Sequence, residues 1–198
     1  MRCCACALVL IASSGFSSEP HLSGGFQEQL SNSDPVISKL KHGQAHGRGF
    51  KLEYRVNAPL DVFWSYKTNF DNELLHTNRY INSHKLVSRE GNLVITETEY
   101  SYKPRKVFKW QTTVFPDQHL LEYTLLNPEG CGQKYHYGYI QLEADGTGTR
   151  VTQVSYFDFF GVSLWVNYPF NGGMSQFLKY TARWEQQLIS EFKHRYQQ

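Results

Sequence analysis

From Ile81 to Phe160 the chain is a succession of strand-like runs separated by turns too short to hold a helix. That arrangement restricts the fold to an antiparallel meander, because parallel strands need crossovers of about a dozen residues or more. The runs are Lys85–Arg89, Leu93–Tyr102, Val107–Phe115, His119–Leu126, Gln133–Leu142 and Arg150–Phe160, rich in Thr, Val, Ile, Tyr and Phe. Between them stand Glu90-Gly91-Asn92, Pro104-Arg105, Pro116-Asp117, Asn127–Gly132 and Asp145-Gly146-Thr147-Gly148, all with residues that favour turns.

The flanks read differently. Phe50–Val56 alternates apolar and polar residues, as a half-buried strand does. Asn57-Ala58-Pro59 stops it, and Pro59 opens a short helix over Leu60–Tyr66 with Asp61 in its first turn. A second short helical stretch is predicted over Asp71–Arg79. Val162–Asn171 is aromatic and irregular, and Gly172-Gly173 precedes the longest helical pattern, Met174–Tyr196. There Met174, Phe177, Leu178, Thr181, Trp184, Leu188 and Phe192 recur at steps of three and four along one face. Lys179, Arg183, Gln186, Gln187 and Glu191 fall on other faces, and Lys193, His194 and Arg195 suit the negative end of the helix dipole.

At the start, Met1-Arg2 is followed by the uncharged run Cys3–Ala12 and small residues through Gly15. This is the pattern of a secretory signal peptide cleaved between Ser14 and Ser18, and the run is about half the ~20 residues of a membrane span. The expected organisation is a signal peptide over 1–18, a flexible leader over 19–49 and one folded domain over 50–198, in a periplasmic or secreted protein. His42 and His46 have the spacing of a helical metal pair, but Gly43 and Gly47 oppose that helix, so no metal is expected. Loss of the signal removes Cys3, Cys4 and Cys6. Cys131 is then left as a single, exposed, unpaired thiol in a turn.

With 20 Lys and Arg against 18 Asp and Glu, the field is too weak to attract nucleic acid. The excess is aromatic, with 13 Tyr, 13 Phe and 4 Trp, and so many rings serve either a solid core or a lined cavity. No nucleophile elbow, phosphate loop, zinc spacing or dinucleotide fingerprint occurs. Acid–base candidates are Glu97 and Glu99, Asp158 among Phe157, Phe159 and Phe160, and His119 and His136. The glutamates share a face that competes with Thr96, Thr98, Tyr100 and Tyr102 to be inward, and they are read as a solvated edge.

The order of elements, with Val56–Trp64 at the start, Leu142–Thr152 as the hairpin before the last strand and Gly172–Tyr196 as the closing helix, resembles the START-like (SRPBCC) superfamily. That superfamily includes lipid-transfer domains, pollen-allergen-type proteins and polyketide cyclases. The resemblance covers about residues 50–196. It implies an α+β helix-grip fold, with a curved antiparallel sheet wrapped around a long C-terminal helix and two short helices near the N-terminus. An apolar cavity between sheet and helix follows from it. Alternation gives three rows: Phe108, Trp110, Thr112 and Val114; Leu121, Tyr123 and Leu125; and Tyr135, Tyr137 and Tyr139, which line the cavity if they point inward and otherwise fill a solid core or, for the tyrosines, face water. The expected ligand-binding residues are Phe108, Trp110, Tyr123, Tyr135, Tyr137, Tyr139, Phe177 and Trp184. The expected function is a monomeric binder or carrier of a hydrophobic small molecule (a lipid, sterol-like or polycyclic compound), with transient membrane contact, no nucleic acid and no cofactor. The alternatives are a cyclase- or dehydratase-like enzyme using an inward carboxylate or His, and a groove for a partner segment.

Overall fold

Six strands follow one another in space in the order in which they occur in the chain. The computed structural model describes residues 34–41, 47–101, 106–160 and 173–196. The meander comprises β3 (Ile81–Glu90), β4 (Leu93–Tyr100), β5 (Val107–Phe115), β6 (Leu120–Leu125), β7 (Gln133–Asp145) and β8 (Gly148–Phe159). Two earlier strands, β1 (Val36–Leu40) and β2 (Arg48–Val56), add to its far side. The resulting eight-stranded sheet has the order β1-β2-β8-β7-β6-β5-β4-β3. Each neighbouring pair is antiparallel.

The β7–β8 turn explains part of this regularity. Asp145 pairs with Gly148, and Gly146 between them has φ 60, a left-handed conformation that glycine adopts without steric cost. From β2 the chain must travel to the opposite edge of the sheet to begin β3. The helix α1 (Leu60–Thr68) and a 3-10 turn, Glu73–Thr77, make that crossing over the inner face. The long helix α2 (Gly173–Phe192) also covers this face and continues as a 3-10 turn over Lys193–Tyr196. The main core lies between them, with Leu52, Val56, Phe63, Phe108, Leu142, Val151, Phe157, Ala182 and Ile189 all at 2% exposure or less.

Several boundaries differ from the sequence reading. Order begins before Phe50: β1 lies inside the expected leader, where Val36–Leu40 pairs with Gly49–Glu53. This strand sits at the sheet edge with largely exposed side chains, so it carries little apolar signal. The Asp71–Arg79 helix is reduced to Glu73–Thr77, capped by the Asn72 side chain accepting from the Leu74 amide at 2.9 Å. The buried stripe of α2 is rotated from the one expected and contains Leu178, Ala182, Glu185 and Ile189, while Phe177, Thr181 and Trp184 lie half-buried at its margin. The proposed signal peptide, His42, His46, Tyr102, Pro104 and Val162–Asn171 lie outside the described residues.

Candidate ligand-binding site

Register determines which side chains meet on the inner face. Directly paired residues in antiparallel strands point the same way, so Phe50, Ser155, Gly138, Tyr123, Thr112 and Val94 form one row across six strands. Beside it run Thr96 with Trp110 and Leu125, then Thr98 with Phe108, and His136 with Phe157. Over part of this surface the helices do not touch the sheet. A cavity of about 270 Å³ remains, with Phe177 and Leu178 of α2 on one side and Lys67, Phe70 and Leu75 of the α1–β3 crossing on another. The sheet supplies Thr96, Thr98, Trp110 and Thr112, then Leu121, Tyr123, His136 and Ile140.

Its polar groups are mostly committed to one another. Tyr123 lies across β7: its Oη donates to the Val154 carbonyl at 2.9 Å and stands 2.5 Å from Ser155 Oγ, which donates to it in turn. This crossing requires Gly138, because a Cβ there would sit 1.9 Å from the Val154 oxygen and 2.7 Å from Tyr123 Oη. Burial raises the Tyr123 pKa, and the Ser155 and Gln153 hydrogen bonds oppose that rise. At the other end, His84 Nε2 is 3.0 Å from the Phe70 carbonyl and can only donate to it. Its Nδ1, 2.8 Å from Thr98 Oγ1, therefore accepts. Burial holds the His84 pKa down, with the Phe70 hydrogen bond acting the other way.

Beneath the helices a charge is buried. Lys67 Nζ donates to Glu185 Oε1 at 2.7 Å, and Tyr54 Oη donates to Glu185 Oε2. Burial, and then the Glu185 carboxylate, push the Tyr54 pKa well above its ordinary value.

His136 has no such partner among the described residues. Trp110 stands edge-on to its ring at 4.9 Å between centroids, Phe157 lies at 5.2 Å and Tyr123 at 6.2 Å. The residue is 8% exposed, and Nδ1 is buried with no hydrogen-bond partner. Burial lowers its pKa to about 3, so the imidazole is neutral across the physiological range.

Of the residues singled out from sequence, Trp110, Tyr123 and Phe177 line the cavity. Phe108 is fully buried beside Trp110 at 6.4 Å, as part of the core rather than the cavity wall. Trp184 packs to one side of the cavity, where its Nε1 donates to Thr77 Oγ1 at 3.2 Å. The row Tyr135, Tyr137 and Tyr139 is on the outer face, which corrects its inward assignment. Tyr137 pairs with Tyr156 and Tyr139 with Val154, and the inward residues of β7 are His136, Gly138 and Ile140. Alternation separates the two rows of this strand without saying which faces the core, and here the aromatic row is the outer one.

Among the acid–base candidates, Glu97 and Glu99 face away from the cavity. Lys85 lies 2.8 Å from Glu97 and its hydrogen bond lowers that carboxyl's pKa, while Asn82 Nδ2 donates to Glu99 at 3.1 Å. Asp158 shares the outer face with Tyr135 and pairs with Lys134 at 2.8 Å. His119, at φ 47, turns edge-on to Trp64. The sequence reading missed His84, Gln153, Ser155 and the Lys67–Glu185 pair. Strand register could have found the first three, while the ion pair joins residues 118 apart in the chain and left no local signal.

No family model matches this sequence, and no curated protein matches it. Solved structures do. Protein TTHA0849 from Thermus thermophilus superposes with a TM-score of 0.56 at 12% identity, covering 74% of this chain and 95% of that one. A STAR-related lipid transfer protein from Xanthomonas axonopodis gives 0.53 at 12% identity, over 77% of this chain and 98% of its own. Norcoclaurine synthase from Thalictrum flavum, in complex with dopamine and hydroxybenzaldehyde, gives 0.54 at 15% identity, over 89% and 98%. The chain has the START-like, helix-grip fold. Nearly the whole of each of these structures is matched, so the likeness extends over the entire START-like unit rather than one hairpin or helix. At this identity it concerns the fold, and the side chains of the cavity are this protein's own.

Proposed function

We propose that the protein binds a compact, mainly apolar small molecule between its sheet and α2. The carrying observation is the cavity itself, walled by Phe70, Leu75, Trp110, Leu121, Ile140 and Phe177, with a few hydroxyl and imidazole groups among them. Support also comes from the START-like structures whose names specify lipid transfer or which hold small aromatic compounds.

Size narrows the choice. A cavity of roughly 150 Å³ accepts a benzene ring, and drug-sized ligands occupy roughly 300–1,000 Å³. At about 270 Å³, this one suits a fused two-ring skeleton better than a sterol or a diacyl lipid. Equilibrium dialysis against naphthalene tests the reading. Saturable binding to the protein, abolished when Thr112→Phe fills the cavity in a folded variant, is expected. Equal uptake by both proteins, or none by either, would overturn it.

The enzymatic alternative is favoured by one observation, that His84 and His136 both line the cavity. His84 has both nitrogens engaged, and a base with a pKa of about 3 abstracts protons poorly at neutral pH. The binder reading is therefore preferred. We extend the proposal to export of the chain, on the strength of the charged start and apolar run in residues 1–18. Sequencing the N-terminus of secreted material checks it, with Met1 retained as the contrary result.

A further inference from the structure

A neutral imidazole always presents one N–H and one lone pair. His136 forms no hydrogen bond with either nitrogen to the described residues, and Nδ1 is buried without a partner. The rings around it, Trp110, Tyr123 and Phe157, offer it edges and faces. Tyr123 packs its ring against the imidazole at 6.2 Å between centroids, and its hydroxyl is committed to Val154 and Ser155 on β8. Tyr123, Ser155, His84 and Thr98 are thus paired with one another or with backbone carbonyls, and the imidazole of His136 stands in the wall of the cavity without such a partner.

A buried polar group without a partner is destabilising, and an apolar ring would have fitted this aromatic nest without that penalty. Resting on the reading of the cavity as a ligand site, we propose that His136 is its specificity-determining residue, hydrogen-bonding a hydroxyl of a neutral, ring-containing ligand and so selecting that ligand over hydrocarbon and over carboxylate analogues. A hydroxyl can donate to the lone pair or accept from the N–H, so it satisfies either tautomer. A carboxylate can only accept. It would also enter without a cation to pair with in this wall, because the Lys67 ammonium is already held by Glu185. Lowering of the His136 pKa by burial supports this, since the ring carries no charge to offer an anion.

Three probes of one skeleton test the proposal: naphthalene, 2-naphthol and 2-naphthoate, each titrated at neutral pH against the full chain and His136→Phe. For the unaltered protein, 2-naphthol should bind about tenfold more tightly than naphthalene, the worth of one good hydrogen bond, with 2-naphthoate weaker than both. In His136→Phe the hydroxyl preference should fall to about one while naphthalene still binds. A preference for 2-naphthol that survives the substitution, or none in the unaltered protein despite naphthalene binding, overturns the role of His136 but leaves the cavity reading intact. Binding of no probe overturns both. Should His136→Phe not fold, nitrogen-15 NMR of the unaltered imidazole decides: a ring nitrogen must shift when 2-naphthol is added and stay unmoved with naphthalene. An unmoved signal with bound 2-naphthol contradicts the proposal.

Discussion

Lys67 Nζ lies 2.7 Å from Glu185 Oε1, and this contact joins the short helix that crosses the inner face to the long helix that covers it. Both side chains are largely shielded, at 13% and 7% exposure, and Tyr54 supplies a second donor to the carboxylate. Removing one partner from such a pair leaves a charge in a poorly solvated place, whereas removing both does not.

Lys67→Met should therefore destabilise the protein by roughly 3–5 kcal/mol, and the double variant Lys67→Met/Glu185→Gln, which removes both charges but keeps an acceptor for Tyr54, should recover most of that loss. Urea denaturation of the three proteins measures it. A double variant no more stable than Lys67→Met would contradict the assignment of the loss to an uncompensated Glu185.

Acid should weaken the fold through His136. The folded protein keeps this ring neutral down to about pH 3, whereas an unfolded chain protonates its histidines near 6.5. Between those values the unfolded state binds more protons, so the contribution is fully present above about 6.5 and is lost as pH falls, with a limiting slope of about 1.4 kcal/mol per unit. His84, whose pKa burial also lowers, acts in the same direction. Denaturation at pH 7 and pH 5 should show a smaller drop for His136→Phe than for the unaltered protein. Equal drops would indicate that this ring does not control the response.

The two faces of β7 should behave differently. Tyr137, 39% exposed on the outer face, can become Phe with naphthalene affinity changed by less than about twofold. Trp110→Ala removes a cavity wall and should weaken the same binding by tenfold or more, about 1.4 kcal/mol. Comparable losses in both would mean that the sheet presents its other face to the ligand.

Cys131, expected as an exposed thiol, is fully buried beneath its turn. Its Sγ donates to the Val107 carbonyl at 3.5 Å, and burial pushes its pKa up to about 11. It should react with thiol reagents only as fast as the protein opens, and Cys131→Ser should cost about 1–3 kcal/mol by placing a hydroxyl where a weak donor sufficed. Rapid labelling of the native protein would refute this.

The fold was legible because its signals are local. Gly91 and Gly146 mark hairpins, Pro59 marks the start of α1, and the three- and four-residue steps from Met174 mark α2. The cavity was only partly legible. Alternation and helical period give the rows of Trp110, Tyr123 and Phe177, and the START-like resemblance implies the cavity they line, but Tyr135, Tyr137 and Tyr139 form as regular a row as the inward His136, Gly138 and Ile140. Aromatic content alone favours the wrong face there. Only the cross-strand pairing of Gly138 with Tyr123 and Ser155 reveals why a residue without a side chain belongs inside.

Amide and methyl NMR during a titration with 2-naphthol tests the central claim, that a small ring system occupies the space between sheet and α2, most directly. Shifts should concentrate at Thr96, Thr98, Thr112, Leu121 and Leu178, which surround the cavity, and leave Tyr137, Tyr139 and Glu122 on the outer face unmoved. Saturable shifts confined to the outer face, or no saturable shift anywhere, would contradict the account.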